Sequence, residues 1–193
     1  MYRTPATTSS TQSSSTDTSS GSSGSDEATK IHQLLAWRRD GPPALAYDLT
    51  SPPNSIPARG GASLDDPALQ PASHATALKI ATPCGTVRVA RAAGRRFIGC
   101  RDVLRALHAH LATPVHPDEF ARLPSAMREE VSRAFYARCD AVEERAAREE
   151  ATARGVLRVD LLAGKTRFGG LARRHGPGEW ELRVLGPGGA GAA

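Results

Sequence analysis

An α+β domain, a mostly antiparallel sheet with helices on one face, is predicted by three features of the sequence. Residues 76–89 alternate apolar and polar about a Pro83-Cys84-Gly85 turn. Residues 102–142 then carry apolar side chains at helical spacing, and alternation returns at 157–161 and 179–184. The order is a hairpin, a helix, two inserted helices and C-terminal strands, which suggests a β-grasp-like arrangement with the first helix crossing the sheet. A chain of 193 residues with 39% hydrophobic residues is a prior for one domain with one core.

Residues 1–27 contain Ser, Thr and Gly and little else (TTSSTQSSSTDTSSGSSGSDE). Without apolar periodicity they cannot offset the entropy of ordering and are expected to be disordered. They would serve either as a plain linker or as a phosphorylated tail whose hydroxyls acquire negative charge. In 28–40 (ATKIHQLLAWRRD), Ile31, Leu34 and Leu35 fall at helical spacing, and Gly41-Pro42-Pro43 would stop a helix. A short amphipathic helix is expected there, docked back on the domain or acting as a partner motif that ends in Trp37-Arg38-Arg39. That assigns 1–40 to the tail and 41–186 to the domain.

Residues 42–71 are rich in proline, which cannot donate to a sheet ladder, so they should run extended over a surface. Leu78 and Ile80 alternate with Lys79, and Val87 and Val89 with Arg88, giving the hairpin one apolar face. Val103, Leu104, Leu107 and Leu111 form the stripe of a helix over 102–111, closed by Thr113-Pro114. His116-Pro117-Asp118-Glu119 opens a second helix, with Pro in the first turn and acids at the positive end of the helix dipole. Phe120 and Leu123 should turn inward.

A third helix from Ser125 has the inward stripe Met127, Val131, Phe135, Cys139 and Val142. Beyond it the pairs Glu144/Arg148 and Glu150/Arg154 are spaced to support a solvated continuation that Gly155 stops. Leu157, Val159 and Leu161 predict a strand, followed by a turn at Ala163-Gly164. Phe168 and Leu171 then return to the core across a bend at Gly169-Gly170. Trp180, Leu182 and Val184 predict the last strand, and the Gly/Ala-rich 187–193 a disordered tail.

Composition narrows the function classes. Residues 76–185 hold 20 Lys and Arg against 13 Asp and Glu, so the folded part is basic. No run approaches the roughly 18–20 apolar residues of a membrane span, and the N-terminus has no signal-like apolar segment. An intracellular protein, cytoplasmic or nuclear, with no membrane association is expected. Cys84, Cys100 and Cys139 make an odd set without CxxC spacing, so reduced, buried thiols are expected rather than disulfides or zinc.

The tripeptide Gly164-Lys165-Thr166 resembles a phosphate loop, but the earlier glycine of that pattern falls on Val159, whose Cβ obstructs the turn. His108, His110 and His116, with Asp118 as a fourth ligand, invite a metal reading, but His108 and His110 are two residues apart on a helix, so they point about 200° from each other and cannot share an ion there. Asp160 is expected in a solvated cross-strand ladder with Arg158, Glu181 and Arg183. Cys139 lies on an inward stripe, as a small core residue rather than a thiolate. No catalytic residue, cofactor or metal site is assigned. The strongest charge feature is Arg88, Arg91, Arg95, Arg96, Arg101 and Arg105, opposed locally by Asp102. These six are the candidate contact for an anion or partner, or else a solvated basic edge.

The string RVDLLAGKTRFGGL at 158–171, followed by GEWELRV, resembles the C-terminal signature of an uncharacterised domain family abundant in mushroom-forming fungi. Tyr47-Asp48-Leu49 with Pro52-Pro53, the helix around Asp102-Val103-Leu104, and residues 119–124 (EFARLP) are similar to further parts of it. The likeness spans about 46–185, with Tyr47 standing where the family tends to have Trp. It implies domain boundaries and one folding unit, and supplies no catalytic residue, cofactor or substrate. The function expected is a non-enzymatic protein-interaction module with an unidentified protein partner. The alternative is anion or nucleic-acid binding through the arginine-rich edge.

Overall fold

Two hairpins make the main sheet. Strands β3 (Ala77–Thr82) and β4 (Gly85–Ala90) pair antiparallel about a two-residue turn, and β5 (Arg167–Arg173) and β6 (Glu179–Leu185) form the second antiparallel pair. The hairpins join where β6 runs parallel to β3, with Ile80 opposite Trp180, so the order is β4-β3-β6-β5. The structure, a computed structural model, describes residues 29–56, 63–72, 75–174 and 178–187. The disorder expected of 1–27, and of all but the first residue of 187–193, lies outside the described residues.

Helix α1 (Cys100–Leu111) packs on one face of this sheet, and the reason is its stripe. Val103, Leu104, Leu107 and Leu111 are fully buried and belong to one cluster with Leu78, Ile80, Val87, Val89 and Leu182. Each such side chain contributes about 1.5–3 kcal/mol by leaving water. The first turn of α1 is closed by its own chain. The Gly99 N–H donates to the Asp102 carboxylate, and the N–H groups of Cys100 and Arg101 donate to the carbonyls of Asp66 and Leu64.

Beyond α1 come α2 (Pro117–Ala121), α3 (Ser125–Asp140) and α4 (Arg145–Ala153), and these bury little. α3 buries Val131 and Cys139, while α2 and α4 bury no residue fully. Met127, expected on the inward stripe, is 43% exposed, because α3 rests on the domain only through its C-terminal two thirds. Phe120 and Leu123 are half-buried. The solvated continuation is a separate helix. Arg148 turns back to donate to the Val142 carbonyl instead of pairing with Glu144, and the ion pairs on α4 are Arg145–Glu149 and Arg154–Glu150.

Two expected elements are replaced. The helix over 28–40 does not form: β1 (Lys30–Ile31) pairs with β2 (Leu69–Gln70), and a turn follows. Leu35 and Trp37 then bond along the outer edge of β5, with Leu171 N–H donating to the Leu35 carbonyl and Trp37 N–H to the Leu171 carbonyl. Ile31, Leu34 and Leu35 are buried in the main core, so packing begins ahead of residue 41. Their spacing suits a helix and a strand-turn equally, and the bonds offered by β2 and β5 decide between them.

The strand expected at 157–161 is a 3-10 helix, Arg158–Leu162, and the strand lies later, at β5. Gly169 is the extra residue of a bulge in β5, which is why Phe168 and Leu171, three apart, both face inward. A Cβ on Gly170 (φ +131°) would stand 2.6 Å from the Trp37 backbone. Tyr47 and Leu49 complete the cover of β5, through the Phe168 N–H to the Tyr47 carbonyl and the Leu49 N–H to the Thr166 carbonyl.

Candidate functional site

Two clefts of about 660 Å³ and 410 Å³ lie along the side of α3 that faces the 158–166 segment. Both are lined by Ala134, Ala137 and Gly164, so they run together as one groove. On α3 the residues 134, 137, 138 and 141 are three and four apart and share a face, and three of them are alanine, which leaves the space. Leu111, Leu157, Val159 and Val142 wall the larger cleft, while Glu130, Arg133 and Lys165 rim the smaller. Volumes of this size, apolar with a few polar groups, are the usual form of a binding site.

The polar groups of the groove are fixed. Arg138 Nε and Nη2 donate to the two Asp160 carboxylate oxygens, each at 2.9 Å, and Nη2 also reaches the Gly155 carbonyl at 3.0 Å. Asp160 is 2% exposed and also accepts the Leu157 N–H at 2.8 Å, which caps the 3-10 helix. This corrects the expected solvated ladder, since the carboxylate points inward to satisfy a guanidinium and a backbone donor. Glu181 and Arg183 pair with each other instead. The Asp160 hydrogen bonds push the Arg138 pKa further up. On the opposite wall, His108 Nδ1 lies 3.1 Å from the Leu49 carbonyl. A carbonyl only accepts, so Nδ1 donates in this contact, and in the tautomer that allows this Nε2 is an acceptor.

Sequence reasoning missed this pair. The available signal was an acid three residues beyond Leu157, the spacing of a helix cap, within a stretch that also alternates like a strand.

The six candidate arginines divide. Arg88 lies opposite Lys79 on the solvent side of the sheet. Arg101 forms an ion pair with Asp65, Nε to Oδ1 at 3.1 Å. That hydrogen bond and the charges of Arg101, Arg95 and Arg105 hold the Asp65 carboxyl below its usual range. Arg91 donates to the Arg96 carbonyl, which ties these two into the same loop region, and Arg105 reaches Asn54 Oδ1 at 3.5 Å. Asp65, rather than Asp102, is the opposing charge, because Asp102 is spent on the Gly99 N–H.

The remaining candidates take up structural positions. Gly164 (φ +78°) and Ala163 (φ +50°) make a left-handed turn after the 3-10 helix, and the chain enters strand β5 where a phosphate loop would enter a helix. Thr166 Oγ1 donates to Asp48, and Lys165 is exposed at the groove rim. His116 Nδ1 accepts the Asp118 N–H. His110 Nε2 is buried without a hydrogen-bond partner, and burial pushes its pKa down, helped by Arg158. Among the described residues no group of three or more His, Cys, Asp or Glu could hold a metal ion, and no helix is long and apolar enough to cross a membrane. All three cysteines are free and buried, and burial pushes Cys84 up to about 11 and Cys100 up to about 12.

No curated protein and no solved structure matches the chain. The model of a family of unknown function, DUF6699, matches residues 45–179, and the chain belongs to that family.

Proposed function

We propose that this member of the family is a non-enzymatic protein-interaction module that receives an extended apolar segment of a partner protein in the α3 groove. The observation that carries the proposal is the joined pair of clefts, floored by Ala134 and Ala137 and walled by aliphatic side chains. An extended peptide offers an N–H and a carbonyl along with its side chains. His108 Nε2 as acceptor and the Arg138 guanidinium as donor are complementary to those two groups. The groups best placed to react are otherwise engaged: the Asp160 charge is neutralised by Arg138, and the thiols of Cys84 and Cys100 are held protonated. This supports binding over catalysis.

The test is to pan a displayed peptide library against the full chain and against Ala137→Glu, which places a charge in the groove at an exposed position. Enriched peptides should share an apolar anchor and bind the variant about tenfold or more weakly at an unchanged melting temperature. Peptides that bind both proteins equally would overturn the proposal.

A further inference from the structure

The arginine cluster stands apart from the groove, and its charge is only partly matched. Arg95, Arg96 and Arg105 are exposed, while one carboxylate, Asp65, lies under the combined influence of Arg95, Arg101 and Arg105. The first-turn N–H groups of α1 are already bonded to Asp102, Asp66 and Leu64, so the attraction for an anion resides in the side chains. Guanidinium groups without full carboxylate partners favour phosphate oxygens, which they can bind in pairs.

The N-terminal segment enters the fold beside this cluster. Lys30 pairs with Gln70, and the neighbouring Leu69 lines a small cavity with Ala75 and Phe97, the residue that follows Arg96. Residues 1–28 contain 16 Ser and Thr, with Asp17, Asp26 and Glu27 against Arg3 alone. Two serines have an aspartate three positions downstream, Ser14 with Asp17 and Ser23 with Asp26. A hydroxyl with a carboxylate at that spacing is what acid-directed protein kinases recognise.

We propose that Arg91, Arg95, Arg96 and Arg105 are a docking site for this chain's own N-terminal segment once Ser14 and Ser23 are phosphorylated. In the modification, a kinase transfers the γ-phosphoryl group of ATP to the serine Oγ. The Oγ–P bond forms as the bond from the γ-phosphorus to the bridging oxygen breaks, ADP leaves, and the hydroxyl proton is released. Each phosphate brings a charge of about −1.5 to −2, which arginines can order. Ser23 is seven residues before Lys30, so its phosphate stays within about 23 Å of the chain's entry point. That tether gives an effective concentration on the order of millimolar, above what an untethered phosphopeptide would reach.

The experiment has two arms on the full chain. In the first, an acid-directed kinase and ATP are added and the sites are mapped by mass spectrometry; phosphate at Ser14 and Ser23 is expected, and its absence overturns the modification. In the second, phosphoserine is installed at both positions during translation and its removal by a phosphatase is timed. Docking predicts removal about fivefold or more slower than in Arg95→Gln/Arg96→Gln/Arg105→Gln, with the difference gone at high salt, about 0.5 M. The three residues are exposed, so the variant should keep its melting temperature. Equal rates in both proteins overturn the docking. Retention of a DNA duplex by the unmodified chain at about 50 mM salt, lost in the triple variant, assigns the cluster to nucleic acid and also overturns it.

Discussion

The sheet with α1 and the arm of helices α2 to α4 are held by different physics. In the first, strands and helix meet through Leu78, Ile80, Leu104, Leu107, Phe168 and Leu182, all buried in one apolar cluster. In the second, α3 commits Val131 and Cys139 to burial and otherwise depends on the Arg138–Asp160 pair, with α4 alongside it buried nowhere. Apolar burial is distributed and tolerant of one loss. A single ion pair is concentrated, so its partners fail together.

The largest effect should come from the distributed core. Phe168 is 1% exposed and packs against the Tyr47 ring at 6.5 Å, and Phe168→Ala should cost about 3–5 kcal/mol through lost transfer energy and the cavity left behind. Guanidinium unfolding should show the loss in one cooperative transition, since the residue packs β5 and the Tyr47 segment into the main core. A loss below about 1 kcal/mol would show that the sheet does not depend on this packing.

Asp160→Ala tests the concentrated anchor. It leaves the Arg138 guanidinium, 17% exposed, without its carboxylate and the Leu157 N–H without an acceptor. A cost of about 3 kcal/mol is expected, at the lower end for breaking a buried pair. Hydrogen exchange gives the sharper readout: amides of α3 should lose protection while those of β3 and β6 keep it. Replacing both partners, as Arg138→Met/Asp160→Leu, should recover most of the loss, because no unpaired charge remains. Uniform deprotection of the sheet by Asp160→Ala would mean that the two regions unfold as one.

The same contrast governs what could be read from the sequence. The hairpin at 77–90, helix α1 and strand β6 announce themselves because many apolar residues repeat at one period and all of them are buried. Residues 158–162 mislead because Leu157, Val159 and Leu161 alternate by chance, while one carboxylate at Asp160 sets the conformation through two long-range hydrogen bonds to Arg138. Residues 30–37 mislead because three apolar residues cannot specify a period, and the β5 edge that captures them lies about 130 residues away in sequence. The groove was not legible at all: Ala134, Ala137 and Gly164 carry no chemical signal, and only their placement opposite one another makes a space. The arginine cluster was legible as composition, but its division, with Arg88 on the open sheet face, needed the topology.

Alkali probes the core side by a third route. Cys84 and Cys100 ionise at about 11 and about 12 in the fold, against the ordinary value of 9.0, because burial disfavours the thiolate. With folded values raised, the contribution is fully present below pH 9 and is lost as pH rises through 11 and 12. At about 1.4 kcal/mol per unit, stability should fall across that window by at most about 3 kcal/mol through Cys84 and about 4 kcal/mol through Cys100. Cys100→Ala should flatten the slope even if it lowers stability at neutral pH. An unchanged slope would mean that the thiol is solvated in the native state.

The smallest effect should fall on the outer surface of the helical arm. Met127 and Tyr136 are 43% and 63% exposed, and the side chain that Tyr136 meets is Phe135 of the same helix. Met127→Ser and Tyr136→Ser should each change stability by no more than about 0.5 kcal/mol, the usual range for surface positions. These changes should be silent in thermal melts, while Ala137→Glu, on the groove face of the same helix, should weaken peptide binding about tenfold or more. A helix whose outer face is dispensable for folding and whose groove face is required for binding is held in place for the groove it lines. If Met127→Ser instead destabilises the chain as much as Asp160→Ala does, α3 is anchored along its whole length and the ion pair is one support among several.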